Sequence, residues 1–325
     1  MDMERWREEK WLAGVHTWVD ERLAAAGLAC AGEAEQRHVT PWSTVIRVPT
    51  TGGDVWFKAN DASMHHESRV VGLLAAEVPD LVPPLIADDT DRGWLLMADA
   101  GEWLRSVSPR EGHLDHWLEV LPAYAAAQLA MRSHVEDLLS AGVPDRRLPT
   151  LVPAYAALMD EIDAEPRFRA AETFVGELVE RLAEHGINET LNHDDLHDGQ
   201  VFVRSGGAGG AGGAGGSGRA GRRVLVMDWG DACVSHPFFT MSVTLQGVLS
   251  WGLDDEEDSV DTTPFLEAYL GPFRAAYPGV TQCDLAEAAR VAMRLGWACR
   301  AVNGHVPGDP GATVNRLKMF VDGRV

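Results

Sequence analysis

The sequence predicts an α+β protein, with a small antiparallel-sheet lobe followed by a larger, mostly helical one. Three observations lead there. Short runs of strand-forming residues separated by turn residues crowd the first hundred or so positions. Helical periodicity dominates from about residue 112 onward. One further strand pair interrupts the helices late in the chain. A chain of 325 residues has the length for two cores. The composition shift places the first lobe at 1–97, a connector at 98–102 and the second lobe at 103–325.

Residues 4–26 place Trp11, Val15, Trp18, Val19 and Leu23 on one helical stripe among charges. The runs Ser43-Thr44-Val45-Ile46-Arg47-Val48 and Asp54-Val55-Trp56-Phe57-Lys58 flank Thr51-Gly52-Gly53 and read as an antiparallel hairpin. His66 to Glu77 is helical in period, and Pro79 stops it. Leu81 to Ala87 and Trp94 to Ala98 give two more strands. Helices are then expected over Trp117–Leu139, Leu151–Ile162 and Ala170–His185. Val201-Phe202-Val203 and Val224-Leu225-Val226-Met227 form the late strand pair. Between them, 205–221 is almost entirely Gly, Ala and Ser, with too little apolar area to order itself, and reads as a flexible hairpin loop. It contains GxGxxG, as in Gly207-Ala208-Gly209-Gly210-Ala211-Gly212, but a strand follows instead of the helix that would receive a pyrophosphate.

The charge balance is 28 − 49 = −21, which opposes phosphate backbones, argues against nucleic acid as a partner and favours a cationic ligand. Cys30, Cys233, Cys283 and Cys299 show neither CxxC spacing nor the density of a disulfide scaffold, so buried, reduced thiols in a cytoplasmic protein are expected. The charged N-terminus does not read as a signal peptide, and no apolar run reaches membrane-spanning length, so no membrane association is expected.

The chemistry concentrates in Leu191-Asn192-His193-Asp194-Asp195-Leu196-His197-Asp198-Gly199-Gln200, followed by Met227-Asp228-Trp229-Gly230-Asp231. Phosphoryl transfer from ATP needs a carboxylate to orient the attacking hydroxyl and oxygen ligands to hold Mg²⁺ against the phosphates. Asp195 suits the first task. Gln200, through its amide oxygen, and Asp228 suit the second.

These segments resemble the catalytic loop and metal-binding segment of the aminoglycoside-phosphotransferase and choline-kinase-like family, over roughly residues 40–240. The resemblance implies a bilobal protein-kinase-like fold and an ATP- and Mg²⁺-dependent kinase acting on a small-molecule hydroxyl. It makes Lys58 the lysine on the α/β-phosphates and Glu67, nine residues later, its ion-pair partner. Ser43 and Thr44 resemble the family's short turn, whose hydroxyls and backbone NH groups would cover the phosphates. Met97, Ala98 and Ala100 resemble the hinge, where the Ala98 carbonyl and Ala100 NH would bond adenine. Gln200 stands where the family usually has Asn, as in its maltose- and glucosamine-kinase-like relatives, and Ser235-His236-Pro237 lacks the Asp that often follows.

The acceptor stays open between an aminoglycoside-like antibiotic and an amino sugar or amino alcohol. A nucleotide-binding pseudokinase is the alternative outside enzymes. Asp194 and Asp198 read as solvated loop charges, or at most as electrostatic tuning of the loop, and His193 as a loop-stabilising core residue. His197 and Asp231 divide evenly between structural and substrate-contact roles. Asp254-Asp255-Glu256-Glu257-Asp258 lacks the central glycine of a calcium loop and reads as a solvated acidic face, with the lining of a cationic substrate's cleft as the alternative. His113-x-x-His116 lacks metalloprotease spacing.

Overall fold

A computed structural model describes residues 3–205 and 222–323, so most of the Gly-rich hairpin loop expected at 205–221 lies outside the described residues. The chain forms two compact units, one from Met1–Glu102 with Phe202–Gly230, the other from Trp103–Val201 with Asp231–Val325. Elements are numbered in chain order.

The first unit is built on a five-stranded antiparallel sheet. Its strands are β1 (Glu35–Val39), β2 (Ser43–Thr50), β3 (Gly53–Asn60), β4 (Leu85–Asp89) and β5 (Trp94–Ala98), in the order β1-β2-β3-β5-β4. β2 and β3 pair from Ser43↔Asn60 to Thr50↔Gly53, the hairpin expected around Gly52-Gly53. Helix α1 (Glu9–Ala25) lays Val15, Trp18, Val19 and Leu23 against Ile46, Val48, Phe57 and Leu96. Trp18, Phe57 and Trp94 meet edge to face at 5.3–5.9 Å, an arrangement that adds to their area burial. Helix α2 (His66–Glu77) ends just ahead of Pro79. Two details depart from the sequence reading. β4 begins at Leu85 instead of Leu81, because Pro83 and Pro84 have no NH to give a ladder. The mostly exposed edge strand β1 has the polar sequence Glu35-Gln36-Arg37-His38-Val39 and carries no strand signal.

A second, three-stranded sheet runs β10-β9-β6, from β6 (Glu102–Trp103), β9 (Val201–Ser205) and β10 (Arg222–Val226). Gly101 makes this possible. It sits at φ 96°, and a Cβ there would lie 2.9 Å from the Arg204 Cα.

The second unit is mostly helical: α3 (Leu104–Glu111), α4 (Trp117–Met131), α5 (Val135–Ser140), α6 (Leu148–Glu161), α7 (Pro166–Ala170), α8 (Glu172–Ala183), α9 (Thr263–Ala276), α10 (Gln282–Asn303) and α11 (Gly311–Lys318). The helix expected over Trp117–Leu139 breaks at Arg132–His134, where Arg132 Nε and Ser133 Oγ turn back onto the Leu129 and Ala130 carbonyls. α10 runs through the core, with Leu285, Ala292, Leu295, Cys299 and Arg300 all buried. A short sheet of β7 (Asp145–Arg146), β11 (Cys233–Ser235) and β8 (Thr190–Asn192) delivers the chain into the Asp194–Gln200 loop.

Candidate active site

In the first unit, Lys58 lies near the end of β3 and Glu67 in the first turn of α2. The Lys58 ammonium lies 2.7 Å from Glu67 Oε2 and 2.6 Å from Asp228 Oδ1. Glu67, 1% exposed, also accepts from Asn60 Nδ2 at 2.7 Å and from the Trp229 NH at 2.9 Å. Each Glu67 oxygen is therefore engaged and its geometry is fixed. The Asp228 side chain, by contrast, is half exposed. Burial alone would lower the Lys58 pKa, but the Asp228 and Glu67 carboxylates outweigh it and hold the ammonium well above its ordinary range. Asp228 has φ 63°, a left-handed conformation that Asp tolerates better than most residues. His66 reinforces the segment through Nε2 and the Gly230 carbonyl at 3.0 Å.

Ser43 and Thr44 occupy successive positions of β2 and so point to opposite faces. Thr44 is fully buried, with its hydroxyl donating to His38 O and accepting from Gln36 Nε2. Thr44 thus ties β1 to β2, and the sequence expectation of a hydroxyl on the phosphates is corrected for it. Ser43 belongs to the turn itself, its NH bonded to Thr40 Oγ1 at 2.9 Å. Arg5 and Trp6 brace that turn through the Pro41 and Thr40 carbonyls, at 2.7 and 2.9 Å. Met97 and Ala98 close β5, where Ala98 NH bonds Pro84 O at 2.9 Å, and Ala100 is buried two residues on. Between them, Asp99 accepts from Trp56 Nε1 and the Gly101 NH, both at 2.8 Å, which sets the path of the connector.

In the second unit, the loop carrying Asp195 is pinned by its backbone. Tyr124 OH accepts the His193 NH at 2.9 Å, Thr240 Oγ1 accepts the Asp194 NH at 3.2 Å, and Thr244 Oγ1 donates to Leu196 O at 2.8 Å. His193 is fully buried, consistent with a core role. Arg300 on α10 gathers three carboxylates: Asp194 at 3.3 Å, Asp195 at 3.0 Å and Asp231 at 3.1 Å. Asn303 donates to Asp194 Oδ2 at 2.9 Å and to the Asp231 carbonyl at 2.8 Å. Burial would depress the Arg300 guanidinium, but Asp231, Asp195 and Asp194 drive its pKa far up. Burial raises the Asp194 carboxyl in spite of Arg300 and Asn303.

Asp194, with a side chain 1% exposed, is therefore no solvated loop charge, and that expectation is corrected. Asp198 is held by Arg105 at 2.8 Å; burial raises its pKa, but the neighbouring His197 and the Arg105 guanidinium bring it below the usual carboxylate range. His197 lies with Nε2 4.0 Å from Asp195 Oδ2 and Nδ1 accepting the Gly199 NH at 3.0 Å. Gln200 is half-buried, its NH bonded to His197 O at 2.9 Å.

Arg300, Asn303 and Asn60 were not found from sequence. For Arg300 a signal existed: it falls four residues after Gly296 and eight after Ala292, so helical spacing puts this charge on the buried face of α10.

No protein-family model and no curated protein matches the chain by sequence. Solved structures do match in fold. An ethanolamine kinase from Plasmodium vivax is 12% identical with TM-score 0.59, covering 91% of this chain and 83% of its own. A choline kinase from Streptococcus pneumoniae is 15% identical with TM-score 0.56, covering 95% and 98%. The GDP complex of aminoglycoside 2'-phosphotransferase-IIIa is 14% identical with TM-score 0.56, also covering 95% and 98%. The chain has the protein-kinase-like fold that these small-molecule kinases and phosphotransferases share.

Proposed function

We propose that this protein is a kinase that transfers the γ-phosphoryl group of ATP to a hydroxyl of a small, amine-bearing molecule. The observation that carries the reading is the Lys58 ammonium held between Glu67 and Asp228. Sequestering a cation with two carboxylates is a poor way to gain stability, since the desolvation penalty rivals the attraction. It is a good way to hold an ammonium ready for nucleotide phosphates.

In this reading Glu67 fixes Lys58, and Lys58 binds the phosphates. The resemblance assigns both Asp228 and Gln200 to the metal, and their carboxylate and amide oxygens would suit Mg²⁺ and suit softer metals poorly. Bound there, Mg²⁺ supplies neutralisation of phosphate charge. Asp195 has Oδ2 turned to Arg300, so Oδ1 is the oxygen to accept a hydrogen bond from the acceptor hydroxyl. The new bond joins the acceptor oxygen to phosphorus as the bond to the ADP oxygen breaks, and the hydroxyl proton passes to Asp195 and then to solvent. Most of the acceleration comes from positioning and charge, without a covalent intermediate. The net charge of −21 supports an amine-bearing acceptor, and the neighbours named for ethanolamine, choline and aminoglycosides point the same way.

The test is ADP release with Mg-ATP across amino alcohols, amino sugars, aminoglycosides and neutral sugars. Acceptor-dependent release that Asp195→Ala abolishes, with ATP affinity kept, supports the reading. Nucleotide binding without turnover on any acceptor would favour a pseudokinase. Asp228→Ala should weaken Mg-nucleotide binding as well, and equal loss of ATP affinity in both folded variants would contradict the division of roles.

A further inference from the structure

Helix α3 ends at Glu111, Gly112 turns the chain at φ 75°, and α4 begins after His116. This tight reversal folds two imidazoles onto one carboxylate. Glu111 Oε2 is 2.8 Å from His116 Nε2 and 3.4 Å from His113 Nε2. One donor atom from each of the three residues lies within 4.8 Å of the other two. The two rings sit 5.3 Å apart with 32° between their planes. His116 is 5% exposed, while Glu111 and His113 reach solvent in part.

We propose that Glu111, His113 and His116 form a Zn²⁺ site that fastens the α3–α4 turn. Zinc bonds to imidazole and carboxylate run to about 2.0–2.2 Å, so tetrahedral geometry sets its ligand atoms about 3.3–3.5 Å apart. The Glu111–His113 separation of 3.4 Å already meets that spacing, and Glu111–His116 needs to open from 2.8 Å by well under an ångström. Two nitrogens and one oxygen suit zinc over Mg²⁺ or Ca²⁺, which prefer oxygen throughout.

A ligating histidine normally donates its other ring NH to an acceptor. Asp115 supplies one, with its carboxylate 3.9 Å from His113 Nδ1. Binding moves the His113 proton from Nε2 to Nδ1 and gives up the long 3.3 Å bond from the Asp115 NH. Water from the exposed side completes four-coordination. The far end of α3 carries Arg105, which holds Asp198 at 2.8 Å, so the metal would stiffen a helix that braces the loop carrying Asp195.

The experiment uses the full chain, stripped with chelator and kept in excess Mg²⁺, titrated with Zn²⁺ against a chromophoric chelator. We expect one equivalent bound and a higher melting temperature. His113→Asn and Glu111→Gln, at partly exposed positions where folding is safe, should weaken binding at least about tenfold and remove the thermal shift. Co²⁺ substitution should give a four-coordinate visible spectrum without a thiolate charge-transfer band. Such a band would assign the ion to a cysteine site, such as the buried Asp194–Cys233–Cys299 group or the exposed Cys30 or Cys283, and overturn the proposal. So would wild-type affinity in the His113→Asn variant, or no stoichiometric binding.

Discussion

Replacing Arg300 with Met keeps an unbranched apolar stem and deletes the guanidinium with its charge. Its guanidinium is 3.0–3.3 Å from Asp194, Asp195 and Asp231, and the side chain is only 5% exposed. At an effective dielectric of 20, each such contact is worth about 5 kcal/mol of raw attraction. Much of that is offset by desolvation, so the sum is not the expected loss. What decides the outcome is Asp194, whose side chain is 1% exposed and would be left as an uncompensated buried charge. Breaking a buried pair from one side costs about 3–5 kcal/mol. At about 2–4 °C per kcal/mol for a chain near this size, the melting temperature should fall by roughly 6–20 °C.

Thermal and urea unfolding followed by circular dichroism measure this. The double variant Arg300→Met, Asp194→Asn removes both buried charges and should recover a substantial part of the loss, because the two sites share one interaction. Arg300→Lys should fall between, since one ammonium cannot reproduce the planar fork that meets three carboxylates. If Arg300→Met melts within a degree or two of wild type, or if the double variant is no more stable than the single one, the buried cluster is not held by charge and the reasoning fails.

Three further outcomes follow from other parts of the molecule. Gln200→Leu should raise the Mg²⁺ concentration needed for half-maximal rate, with Gln200→Asn intermediate; a magnesium titration of the folded Leu variant that matches wild type removes Gln200 from the metal site. Gly296→Ala should destabilise by about 1–3 kcal/mol in urea unfolding, although Ala is the better helix former, because its Cβ would meet the Phe239 carbonyl at 2.6 Å; a more stable variant would contradict this. Burial lowers the His236 pKa to about 3, so its ring stays neutral in the folded protein. The unfolded chain then binds one more proton between about pH 6.5 and pH 3, and stability is lost as pH falls through that window. Across the whole window the loss is roughly 4–5 kcal/mol. His236→Asn should remove that share of the pH dependence; equal slopes of stability against pH for wild type and variant across pH 4–6 count against it.

By itself the sequence determined the features whose physics is local. Lys58 and Glu67 are nine residues apart because a strand must end and a helix begin between them, and both elements carry their own periodicity. The Asp195 loop and the Asp228 segment are recognisable because each presents its functional residues within one short stretch of its own. Tertiary structure alone decided what surrounds them. Asp194 and Asp195 are adjacent and chemically identical, yet one is sealed under Arg300 and the other keeps contact with solvent. That difference comes from Arg300 and Asn303 on α10, more than a hundred residues later, and no local pattern around position 194 encodes it. The same holds for Thr44, whose hydroxyl was claimed by an edge strand too polar to be recognised. The Glu111, His113 and His116 group also needed the fold, since a helix end and a left-handed glycine bring together atoms whose spacing along the chain matches no metal motif. Burial and long-range pairing depend on which distant surface arrives at a residue, and that is settled only when the chain packs.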